Sequence, residues 1–265
     1  MKKIKKALRL YGHYISINVR SMMQYKSSFV LTTIGHFLMS FNVFLGIYFM
    51  FRRFHTVRGF TYPEVLLCFS IVILEFAIAE MYARGFDSFS GLVRRGGFDR
   101  VLLRPRNEIL QVLGDKFELT RVGRMLQAVV MFVYGVMMSG VSWNIFKIMA
   151  VFFMVVGGVA VFTGLFILYA AICFFTLEGL EVFNILTDGA REFGKYPIGI
   201  YGKKVLMITT FVIPYALVQY YPLLYILDKS ACMFYVFLPL LALLFLVPCF
   251  LFWRCGVRHY KSSGS

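Results

Sequence analysis

Acidic side chains are scarce in this sequence: 13 Asp and Glu stand against 28 Lys and Arg, and charged residues of both signs fill only 15% of its 265 positions. A soluble domain carries about 25% charged residues, so a fold that faces water on every side is excluded. Histidine is also rare. His13, His36, His55 and His259 lie in different segments, and no H-E-x-x-H, G-x-S-x-G or G-x-G-x-x-G occurs. A zinc protease, a serine-hydrolase elbow and a dinucleotide loop therefore lack their defining residues. The five cysteines (Cys68, Cys173, Cys232, Cys249 and Cys255) are odd in number and contain no C-x-x-C pair, which argues against a disulfide framework or a thiolate metal site. The net charge of +15 would suit nucleic acid if it formed one solvated patch, but the basic residues sit in clusters between apolar runs.

What fills the sequence instead is apolar: 60% of residues are hydrophobic and 18% aromatic, and the mean hydropathy is +0.75. Such a composition asks for a bilayer as solvent. A hydrocarbon core of about 30 Å needs about 20 apolar residues in a helix. Six segments qualify, approximately 29–51, 62–83, 124–142, 148–174, 204–226 and 233–253. Pro214 and Pro222 interrupt the fifth, where each removes a backbone donor, so this region is expected to be a shorter span with a partly re-entrant piece.

Basic residues accumulate on the cytoplasmic side during insertion. Between these spans, 23 of the 28 Lys and Arg fall on one side and 5 on the other, which places both termini in the cytoplasm and requires an even number of spans. Residues 1–27 read as an amphipathic helix lying in the membrane plane, with Ile4, Leu8, Tyr11, Ile15, Val19 and Met22 opposite Lys5, Arg9, His13 and Arg20. The same charges interrupt any signal-length apolar core, so this start is expected to belong to the mature protein. Residues 262–265 read as a tail outside the fold.

Gly189-Ala-Arg-Glu-Phe-Gly194-Lys195-Tyr196 matches G-x-x-x-x-G-K but then fails, because Tyr196 and Pro197 stand where a phosphate loop needs the Ser or Thr hydroxyl that binds magnesium. Ionisable residues within spans are costly and count as functional candidates. Glu80 and Arg84 have the spacing of a helical ion pair, whereas Glu75 has no local partner. Gly157, Gly158, Ala160 and Gly164 in the fourth span point to close helix packing.

The longest loop, 84–124, carries a short amphipathic helix, a glycine break and a second helix stopped by proline, suited to a membrane surface or to a groove on another protein. Arg95-Gly-Gly-Phe-Asp99 leads there to Leu102-Leu103-Arg104-Pro105. This stretch resembles the permeases of type-2 ATP-binding-cassette (ABC) exporters, in the six-span group without a fused ATPase. Lys195-Tyr196-Pro197, Ile213-Pro214-Tyr-Ala and Tyr220-Tyr221-Pro222 resemble the same family's later segments.

The resemblance implies an all-α integral membrane permease domain over 1–261, in a bacterial plasma membrane, with a cytoplasmic coupling helix between spans 2 and 3. Arg95, Asp99, Leu102, Leu103, Arg104 and Pro105 would contact a separate cytoplasmic ATPase dimer, and a second permease chain, identical or similar, would complete the complex. ATP and magnesium would sit on that ATPase, with no cofactor, metal or nucleic acid bound by this chain and no catalysis of its own. Glu75, Glu80 and Arg84 remain the polar candidates within the membrane. An ion-coupled carrier using Glu75 and Glu80, or a non-transporting scaffold subunit, are the alternatives.

Overall fold

The computed structural model describes residues 2–176 and 181–261, and they form a helical bundle with one small hairpin. Lys2–Gln24 (α1) is followed by Lys26–Phe54 (α2), a helix of 29 residues. At a rise of about 1.5 Å per residue it is about 43 Å long, more than a bilayer core requires. Only Ser40, Ile47 and Phe51 are buried along it, so most of its apolar surface is left to lipid.

Two short strands, Thr56–Val57 (β1) and Phe60–Thr61 (β2), then pair antiparallel with Thr56 opposite Thr61. Their two-residue turn places both Arg58 and Gly59 at positive φ, as the tight primed turns of hairpins require. The hairpin marks one end of the bundle.

Thr61 also starts Tyr62–Asp87 (α3) with a capping box, its backbone N–H donating to Glu64 Oε2 at 2.8 Å, and Pro63 occupies the first turn. Helix α3 is buried on every side over most of its length, which makes it the central post of the bundle.

At its far end the chain turns through Phe89–Arg94 (α4), Gly97–Leu103 (α5) and Glu108–Asp115 (α6). Gly96 separates the first two with a left-handed φ of 63°, which a side chain would strain. Asn107 caps α6 by accepting from the Leu110 N–H at 3.2 Å. The loop expected at 84–124 is thus helical for much of its length.

Val122–Ser139 (α7), preceded by a 3-10 turn at Leu119–Arg121, returns along α3, and Ile145–Thr176 (α8) packs on its other side. Gly158 of α8 meets α3 so closely that a Cβ there would lie 2.1 Å from the Glu75 carboxyl carbon.

The expected spans 148–174 and 204–226 leave a connection at 175–204, and here the structure holds a helix. Glu181–Phe193 (α9) packs against α3 and α8. Arg191 lies over the Phe76 ring at 5.1 Å, and the next turn meets α3 nearer its hairpin end, Gly194 packing on Val72 and accepting through its carbonyl from the Cys68 thiol at 3.7 Å. Helix α9 therefore climbs antiparallel to α3. Asp188, Arg191, Glu192 and Lys195 hide this element from an apolar-run reading, yet they pair with one another, Arg191 with Asp188 and Glu192, and Lys195 with Glu192.

After a 3-10 turn come Lys203–Phe211 (α10), Tyr215–Val218 (α11) and Tyr220–Ile226 (α12). Pro214 sits at the break between α10 and α11, and the two parts of this pair stand at 89°. The proline break expected in the fifth span is present, and its angle is that of a re-entrant or broken span. The last crossing combines Leu238–Leu241 (α13), a 3-10 turn and Leu246–His259 (α14). Among the described residues, five helical segments are long and apolar enough to cross a membrane, and the bent pair makes up to six.

The third span begins at Leu119 rather than near 124 because Arg121 and Arg124 are buried and paired inside it. At the hairpin end, Lys229 Nζ donates to Gly59 O and pairs with Glu64, both at 2.8 Å, and Lys147 pairs with Asp228 at 2.7 Å.

Candidate functional site

The end of the bundle opposite the hairpin carries most of the residues singled out from the sequence. Leu102 and Leu103 are exposed, Leu103 at 83%, and Arg94, Arg95, Arg100, Arg104, Pro105 and Arg106 are exposed around them. Two bare leucines ringed by arginines form a ridge that water serves poorly. The backbone of the ridge is held from behind, where the buried Gln111 donates through Nε2 to Val101 O at 3.0 Å and to Arg106 O at 3.2 Å.

Beneath the ridge is an aromatic knot. Trp253 of α14 is fully buried and meets Phe86, Phe89 and Phe174 edge-on with ring centroids 5.3, 5.1 and 5.1 Å away. Phe98 of α5 packs against Phe89, Phe174 and Tyr260 at 5.2, 5.0 and 5.1 Å. These rings join α3, α4, α5, α8 and the C-terminal turn into one unit.

Asp99 stands apart from the exposed ridge. It is half-buried in the first turn of α5, beside Tyr260. Burial first, and then this carboxylate, push the Tyr260 phenol up to about 12. Asp99 therefore anchors the C-terminal turn to α5.

A second cluster centres on Glu80, only 5% exposed. Its carboxylate takes Arg84 at 3.2 Å, Arg121 at 3.1 Å and Arg124 at 2.6 Å. Arg84 also pairs with Asp87, and with Glu118 at 3.4 Å. Arg121 reaches Glu118 at 2.7 Å and His36 Nε2 at 2.8 Å, which brings α2 into the network. The pair expected between Glu80 and Arg84 is present, as one edge of a larger web tying α2, α3 and α7. Sequence reasoning missed Arg121 and Arg124. Their signal was available: two arginines three apart at the start of an apolar run need a buried carboxylate nearby.

Helix α1 is fastened to the same end. Tyr11 donates to Tyr82 O at 3.2 Å, Asn18 donates to Gly114 O at 3.2 Å, and the Tyr14 ring packs on Gly114.

Glu75 lies elsewhere, near the middle of α3 and 1% exposed. Its Oε1 has no hydrogen-bond partner. It borders a cavity of about 240 Å³ between α3, α8 and the bent pair. The phosphate-loop-like stretch ends beside this cavity, with Gly194 packed on Val72 rather than forming a free anion-binding loop. Among the described residues no three His, Cys, Asp or Glu side chains gather to hold a metal.

A bundle of apolar spans with a stiffened, arginine-rich end is an arrangement that a comparison with known families can test. The family model for the ABC-2 family transporter protein matches residues 37–264. The chain belongs to the ABC-2 transporter family. No curated protein and no solved structure matches it. As an ABC-2 protein it is a multi-pass membrane component of a transporter, a subunit that works with an ATP-binding-cassette protein rather than catalysing a reaction itself.

Proposed function

We propose that this ABC-2 chain is the permease half of an ATP-driven exporter, and that the α4–α6 end is cytoplasmic and docks on a separate ATPase. Two permease chains, identical or similar, and two ATPases would make the working complex, with ATP and magnesium on the ATPases. The observation that carries this is the Leu102–Leu103 ridge, exposed among arginines on a base that cannot yield independently of α3, α8 and α14.

An apolar anchor surrounded by Arg suits an interface core, where a few such residues carry most of the binding energy. Arg95 and Arg104 would pair with carboxylates at the rim, and Pro105 would end α5 at the contact. Asp99 would act from behind, by orienting α5. Arg84 and Glu80 would pass motion of the ridge into α7 and α2, because packed charged networks move as units.

Glu80 is already engaged by three arginines, as part of the web that ties α3 to α7 and α2. The basic-residue asymmetry also favours a cytoplasmic ridge, since its loop alone holds more Lys and Arg than any other segment between spans.

Leu103→Asp tests the docking surface. The side chain is 83% exposed, so the variant should insert and fold like the wild type, yet replace the apolar anchor of the interface by a hydrated carboxylate that draws in the neighbouring arginines. Co-purification of the ATPase should fall at least tenfold, and transport with it. Undiminished co-purification would remove the ridge from the contact.

A further inference from the structure

Helix α9 carries charge where the bilayer is deepest, and α3 gives the depth. At about 1.5 Å per residue, Phe76 lies about 21 Å from Tyr62 and about 16 Å from Asp87 along the axis of α3. Arg191 sits over the Phe76 ring at 5.1 Å, and Gly194 packs on Val72. The last turn of α9 is therefore near the middle of a hydrocarbon core of about 30 Å.

The helix is two-faced there. Thr187, Ala190 and Gly194 are buried, whereas the side chains of Asp188 and Glu192 are 58% and 46% exposed. A charge turned to lipid at this depth costs about 2.5–3.5 kcal/mol on insertion scales, so such residues face protein or water. Arg191 already pairs with Asp188 and Glu192, and Lys195 with Glu192, which leaves this face no surplus charge for a protein partner to meet. It asks for water.

A cavity beside the same face has matching chemistry. It measures about 110 Å³, lies between α2, α3 and α9, and is lined by Ser40, Arg124, Arg191, Glu192 and Lys195 together with apolar side chains. A water needs about 10–15 Å³ of such space and two to four polar partners, so these walls suit several waters. Helix α10 continues the polar side: Tyr201 packs on Phe193 with ring centroids 5.6 Å apart, and Lys203 and Lys204 just beyond it are exposed.

We propose that the charged face of α9 borders a water-filled passage at the middle of the membrane, and that the cargo crossing there is hydrophilic. This deepens the exporter reading by naming a class of cargo, and as a cargo assignment it rests on that reading. The wetting of α9 does not need an ATPase.

The test uses the whole complex in phosphatidylcholine nanodiscs, with Cys232→Ser and Cys255→Ser removing the two exposed thiols. The probe is a quaternary-ammonium methanethiosulfonate, which modifies thiols that water reaches. Glu192→Cys should react at least tenfold faster than Val130→Cys. Val130 of α7 is 62% exposed at a similar depth, between Arg124, held by Glu80, and Gly135, packed on Leu67. Lys203→Cys should react as fast as Glu192→Cys and serves if that variant does not fold. Trapping the complex with ATP, magnesium and orthovanadate should change both fast rates at least fivefold, because a passage with alternating access opens to one side at a time.

Modification of either folded variant no faster than Val130→Cys would overturn the passage. Fast modification indifferent to trapping would reduce it to a fixed wet cleft and overturn the cargo assignment. Either result would leave docking of the ATPase at Leu103 untouched. Conversely, loss of the docking result would leave the contrast between positions 192 and 130 standing.

Discussion

Replacing Glu80 by glutamine is expected to destabilise the permease by about 3 kcal/mol, because removing one partner of a buried ion pair strands the others. Arg124 would lose the carboxylate it holds at 2.6 Å, while Arg121 would keep Glu118 at 2.7 Å, so the loss falls mainly at the junction of α3 and α7. The quantity to measure is the thermal midpoint in detergent or nanodiscs, which should drop by several degrees. A double variant, Glu80→Leu with Arg124→Leu, should recover most of that drop, since an apolar pair of similar volume often replaces a buried ion pair without loss. Wild-type stability of the single variant would mean that the web contributes nothing, and the proposed path from the ridge to α2 would lose its physical basis.

The second large effect is expected at Trp253. Truncation to alanine removes a fully buried ring that meets four phenylalanines edge-on, and large aromatic truncations in well-packed cores cost about 3–5 kcal/mol. In a bilayer the loss is of packing rather than of burial from water, so the lower figure applies, about 3 kcal/mol.

The informative outcome is functional. Trp253→Ala leaves Leu102, Leu103 and their arginines in place, so the ATPase should still co-purify. Transport should fall more than tenfold, because the ridge would move without carrying α8 and α14. Equal loss of binding and transport would make the knot part of the dock; full retention of transport would show that it transmits nothing.

These two sites differ in how far they could be foreseen. Helices α2, α3, α7, α8 and the last crossing announced themselves as apolar runs; α3 starts at Tyr62, as expected, where Thr61 caps it, whereas the third span starts before 124 because Arg121 is buried and paired. Helix α9 did not, because Asp188, Arg191, Glu192 and Lys195 make it look like a solvated loop when their pairing is unknown. The Glu80–Arg84 pair was legible from spacing along one helix. Its link to Arg124, 44 positions away, depends on how α7 returns along α3, which no local pattern encodes.

The ridge was legible as a motif, but the division of labour within it was not. Leu103 is bare, whereas Asp99, four residues earlier, turns inward to Tyr260. Nor could spacing show that Trp253, near the end of the chain, supplies the floor beneath Phe89 and Phe98.

A photoreactive cross-linker at position 103 probes the central claim most directly. In membranes containing the whole complex, irradiation should join the permease to its ATPase in high yield, while the same group at Phe54, exposed at the hairpin end, should not. Cross-linking from 54 but not from 103, or from neither in a complex that transports, would contradict the account.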